Sequence, residues 1–111
     1  MWFRKGVFMK RKTSKLRKLE KNRYSVFYES LSMCMNCGSM HQVTKHEILE
    51  GRNRQNSMKY GFVLPLCVRC HQKLQDDLAF SKKWKIKSQE YFEEHYGTRE
   101  EFIKIFRISY K

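Results

Sequence analysis

All four cysteines of this chain fall in two Cys-x-x-Cys pairs, Cys34 with Cys37 and Cys67 with Cys70. That pattern constrains the fold more than any other feature. Two disulfides satisfy the count, but a lysine-rich chain in a reducing cytosol argues against them. Four thiolates in two knuckles make a tetrahedral site that zinc fills at about 2.3 Å per sulfur. Gly38 follows the second sulfur, where a tight knuckle needs a permissive backbone. Zinc here is structural and closes a 29-residue loop between Cys37 and Cys67. A chain of 111 residues is one small domain, the size class that often needs such a staple. Metal binding is then part of the folding free energy.

The second constraint is charge. Lys plus Arg number 24 against 11 Asp plus Glu, for a net +13. An excess this large implies a polyanionic partner, and nucleic acid, most simply DNA, is the expected one. An acidic membrane surface is the weaker competitor. No apolar run reaches the length of a membrane span, so no membrane insertion is expected. The start, "MWFRKGVFMKRKT", lacks a continuous apolar region and a small-residue cleavage site, so it does not read as a signal peptide. The expected location is the cytoplasm.

Along the chain, residues 1–23 carry ten Lys or Arg and one Glu. Thr13 or Ser14 can cap a short basic helix there, with Leu16 and Leu19 at i, i+3. Residues 1–8 read as an extension. "YSVFYE" (24–29) suits a strand or a buried approach to the first knuckle. "HQVTKHEIL" suits a strand entering the site, "NSMKYG" a helical turn ending at Gly61, and "FVLPL" a strand into the second knuckle. From Cys70, "HQKLQDDLAF" runs as a helix with Leu74 and Leu78 at i, i+4. "KKWKIKSQEYFEEHYG" continues helically to a stop at Gly97. Thr98 and Glu101 make a capping-box pattern that opens a last helix, with Phe102, Ile103 and Phe106 as its core face.

Between the knuckles lies "TKHEILEGRNRQNSMKYG" (44–61), with a His-Glu pair, two arginines and little to build a core. A strand ending in His46-Glu47, a loop, a second strand and a helix opening at His71 form a hairpin followed by a helix. His46 and His71 then face each other across a gap able to hold a second divalent ion. Glu47 can act on water or join the metal. Lys45, Arg52, Arg54 and Lys59 surround the loop and can grip phosphates. Metal-assisted phosphodiester hydrolysis needs these parts: a cation on the phosphate, a base and positive charge to hold the strand. His41 and His95 lack such context and read as surface or capping residues.

Two Cys-x-x-Cys knuckles flanking a His-bearing strand, closed by "LCVRCH", resemble the HNH endonucleases of the ββα-metal superfamily. "HEILEGRNRQNSMKYG" followed by "LCVRCH" is similar to small HNH-like proteins of phages and prophages. The resemblance covers about residues 34–75, and "YGTREEFIKIF" extends it weakly. It implies an α+β fold: a small ββα-metal core with the four-cysteine zinc knuckle, a basic N-terminal helix and C-terminal helices. The divisions expected are 1–23 for the basic extension, 24–80 for the HNH-like domain, and 81–111 for helices packed on it. His46 and His71 match metal ligands of the family. Glu47 stands where the family has its histidine base, Phe62 where it has its asparagine, and Gln75 where it commonly has another histidine ligand; Asp76 is adjacent and can substitute. The implied function is a DNA endonuclease in a bacterial or phage-infected cell, dependent on Mg²⁺, Mn²⁺ or Ni²⁺, with no small-molecule cofactor. The alternatives are a degenerate relative that only binds nucleic acid, and a zinc-stapled adaptor that leaves the charge unexplained. No residue pattern fixes a subunit count.

Overall fold

The computed structural model describes residues 13–111, which form five helices and one two-stranded sheet. The elements run α1 (Ser14–Lys21), β1 (Val43–Glu47), a 3-10 turn (Gly51–Asn53), α2 (Arg54–Lys59), β2 (Val63–Cys67), α3 (Val68–Leu74), α4 (Leu78–His95) and α5 (Arg99–Phe106). This is an α+β chain. The expected extension over residues 1–8 lies outside the described residues.

The strands pair antiparallel, with Val43 opposite Cys67, His46 opposite Leu64 and Glu47 opposite Val63. The segment between them is closed by Ser57 of α2, which is fully buried. Its hydroxyl donates to the Phe62 carbonyl at 2.6 Å and accepts from the Leu49 amide at 3.1 Å. One small side chain thus ties the exit of β1 to the approach of β2. Gly61 ends this helical turn at φ +79°, and a Cβ there would lie 2.5 Å from the Tyr24 ring. Only glycine meets both demands.

α3 follows β2 with no intervening loop, because Cys67 is at once the last strand residue and the N-cap of the helix. The helix therefore starts earlier than the expected opening at Cys70, and it ends at Leu74. Gln75–Asp77 break it, and the Asp77 carboxylate caps α4 by accepting from the Phe80 amide at 3.0 Å. Leu74 and Leu78 consequently do not share one helix, and Leu78 is exposed. α4 runs unbroken through residue 81.

The main core joins Ile48, Leu49, Phe62 and Leu64 of the hairpin to Trp84, Phe92, Phe102 and Phe106 of the C-terminal helices. Residues 24–29 form no strand; Val26, Phe27 and Tyr28 pack on this core as the buried approach that was the other expectation. α5 opens with the Thr98–Glu101 capping box. Phe102 and Phe106, one turn apart, are fully buried, whereas Ile103 is 39% exposed. Ile103 sits about 100° round the helix from Phe102, off the buried stripe, and Ile105 packs on the core instead. Phe102→Ala should cost about 3–5 kcal/mol of stability. Ile103→Ala should cost under about 1 kcal/mol. Urea denaturation of the two variants checks the assignment.

Candidate metal centre and histidine cleft

The two knuckles converge. The first is a turn in which the Gly38 amide donates to the Cys34 carbonyl at 2.9 Å and the Cys34 amide to the Ser39 carbonyl at 2.8 Å. Gly38 holds φ +79° there. The Met35 amide donates to the Pro65 carbonyl at 2.8 Å and fastens this turn to β2. The second knuckle is the β2–α3 junction. The Cys34, Cys37, Cys67 and Cys70 sulfurs all lie within 4.8 Å of one another. Cys37 Sγ is 3.7 Å from Cys67 Sγ, far beyond the roughly 2.05 Å of a disulfide. Four bonds of about 2.3 Å in a tetrahedron put sulfurs about 3.8 Å apart, so the spacing fits zinc. These four cysteines can hold a structural metal ion such as zinc.

The environment of the sulfurs suits that role. Burial pushes the Cys34 thiol up, but the backbone groups of Cys67, Cys37 and Asn36 prevail and bring it down to about 6. Asn36 Nδ2 donates to Cys70 Sγ at 3.3 Å and favours its thiolate. Burial and the three neighbouring sulfurs outweigh that bond and push Cys70 up to about 11. A cation bound by such thiols displaces their protons.

A second constellation begins at the next residue of α3, His71. The His46 and His71 rings stand 4.8 Å apart between centroids and meet edge to face. β1 and α3 bring them together, as the spacing predicts. Burial, then the neighbouring His71, lowers the His46 pKa, with Glu50 and Glu47 opposing. The shift favours the neutral imidazole, the form that ligates metal. Its Nε2 is 3.7 Å from a carboxylate oxygen of Glu50. His46, Glu50 and Gln75 line one cleft of about 20 Å³, walled by Leu64 of β2 and Trp84 of α4. That is room for about one water or ion.

Glu47 does not join this cleft. Successive residues of a strand point to opposite faces, so Glu47 projects away from His46, toward Arg23 and Arg54. Arg54 Nε donates to Glu47 Oε1 at 2.9 Å, and the same guanidinium pairs with Glu20 of α1. Glu47 Oε2 is buried and lies 3.0 Å from Arg23 Nε, in ion-pair range without hydrogen-bond alignment. Arg54, expected to grip phosphate, is held here by these two carboxylates. Lys45 shares the Glu47 face and is exposed; Arg52 is exposed on the 3-10 turn, and Lys59 is exposed at the end of α2. Asp76 is exposed in the break after α3. Phe62 is a fully buried core residue. Among the described residues, the four cysteines are the only such tight group of three or more metal-ligating side chains.

The residue that sequence reasoning missed is Glu50. It lies in the loop three residues beyond the end of β1, where strand alternation no longer applies, so the sequence carried no signal for it. Protein-family models, curated proteins and solved structures were all compared with this chain, and none matches it.

Purified protein should carry one tightly held zinc per chain. Zinc should be released as pH falls, because protons compete for the four sulfurs, and Cys67→Ser should unfold the domain, since structural zinc contributes about 10 kcal/mol or more. A chromophoric chelator titration followed alongside circular dichroism checks both. Metal-free protein that stays folded with reduced thiols would overturn the assignment.

Proposed function

We propose that this protein is a metal-dependent endonuclease of the HNH type, hydrolysing phosphodiester bonds in DNA. The observation that carries the reading is the His46–His71 pair, held face to edge across a hairpin-helix unit whose base is the four-sulfur cluster. The strand–strand–helix order matches what the resemblance implies, and the net charge of +13 suits a polyanionic substrate.

His46 and His71 would hold the catalytic divalent ion, and Glu50 supplies the nearby carboxylate. Glu50 is 57% exposed and its side chain can swing toward the imidazoles. Such an ion, when bound, stabilises charge on the phosphate and makes a water more acidic. Glu50 can accept that water's proton. Glu47 keeps the shape of the hairpin through its two arginines and takes no part in proton transfer. This replaces the role expected of it from the sequence.

A second reading has its own support. Glu47 committed to arginines, Phe62 in the core and Gln75 in place of a ligand all depart from the family pattern. A zinc-stapled protein that binds nucleic acid without cutting it accommodates all three.

Plasmid nicking with Mg²⁺, Mn²⁺ or Ni²⁺ separates the two. On the nuclease reading, His46→Ala abolishes nicking and leaves the structural zinc in place. Glu50→Gln slows nicking about 10²-fold, the usual scale for a lost general base. Glu47→Gln instead lowers the denaturation midpoint, because it strips charge from an arginine clamp. A parent protein that nicks with none of the three ions, yet binds DNA, is the binder.

A further inference from the structure

The histidine cleft has room for an ion and not for a nucleotide. A strand whose phosphate reaches it must lie along the surface outside, and that surface must be cationic. Three of the four cations expected from the loop stand elsewhere. Lys45 is on the opposite sheet face, Arg54 is bound by Glu47 and Glu20, and Lys59 lines a groove between α1 and α2.

α4 supplies what the loop does not. Ser81 and Trp84 form one wall of the cleft. Ser81 also belongs to an open trough of about 410 Å³ that adjoins it, lined by Lys82, Lys85 and Tyr110. The volume is of the order of a small-molecule site, several hundred Å³. Lys85 Nζ lies 5.9 Å from the centre of the Tyr110 ring. Buried Gln89 pins that ring's backbone: its Oε1 accepts from the Tyr110 amide at 2.7 Å, and its Nε2 donates to Ser109 Oγ at 3.1 Å. Among the described residues, no carboxylate lies in ion-pair range of Lys82 or Lys85.

We propose that this trough is the track along which a nucleic-acid strand reaches the histidine cleft, with its phosphates on Lys82 and Lys85. The placement rests on the nuclease reading of the cleft. Phosphate contacts of this kind position a strand without reading its sequence, so the track predicts cutting with little sequence preference.

Lysine acetylation read by mass spectrometry tests the track on the parent protein, without variants and without divalent ion. The probes are a short DNA duplex and a matching single strand. Bound DNA should slow acetylation of Lys82 and Lys85 several-fold, while Lys45 and Lys104 change little. The double variant Lys82→Gln/Lys85→Gln should flatten the log–log salt dependence of duplex binding by about 1.8, at roughly 0.9 per phosphate contact. Bound DNA that leaves Lys82 and Lys85 fully reactive overturns the track and spares the nuclease reading. Protected lysines in a protein that no ion makes nick uphold the track and overturn the nuclease reading. No binding to either probe overturns both.

Discussion

Four sulfurs within 4.8 Å of one another join pieces of chain that have little other reason to meet. Cys34 and Cys37 sit on a turn with no regular structure, and Cys67 and Cys70 sit where β2 becomes α3. A two-stranded sheet alone is marginal in water, and a helix of seven residues is too short to hold itself. With a cation on the sulfurs, the strand, the helix and the first knuckle become one unit. The position of His71 follows from this, since it is the residue after Cys70 on a helix whose first turn carries two of the ligands.

The sheet then divides the chemistry. On one face, Glu47 gathers Arg23 and Arg54, and Arg54 reaches Glu20 on α1. α1 has no buried residue, so this mixed-charge clamp, rather than an apolar seam, is its main tie to the hairpin. Removing one partner from such a cluster strands the others in a poorly solvated place, which explains why a carboxylate between two arginines is a structural device here. On the other face, His46 meets His71 and α4 closes the cleft with Trp84 and Ser81. The C-terminal helices therefore do more than fill a core. Through Ser81 they set Lys82 and Lys85 in a trough beside the cleft that His46 lines.

Much of this was legible in the sequence. The cysteine spacing announced the metal centre, because two knuckles admit few other uses. Thr13, Gly61 and the Thr98–Glu101 box marked element ends through local hydrogen bonding and backbone freedom, which depend on near neighbours only. The facing of His46 and His71 followed from a hairpin and a helix joined at the second knuckle.

What only the tertiary structure decided was the set of partners each charged side chain takes. Glu47 is next to His46 in the chain, yet the two-residue period of a strand sends it to the opposite face, where Arg23 and Arg54 arrive from segments that sequence spacing does not connect. Glu50 and Trp84 reach the cleft from a loop and a distant helix. Local patterns determine where helices and strands begin and end, since those signals act over a few residues. Which charges meet depends on contacts between residues up to 34 positions apart, Glu20 and Arg54 among them, and only the packed chain sets those.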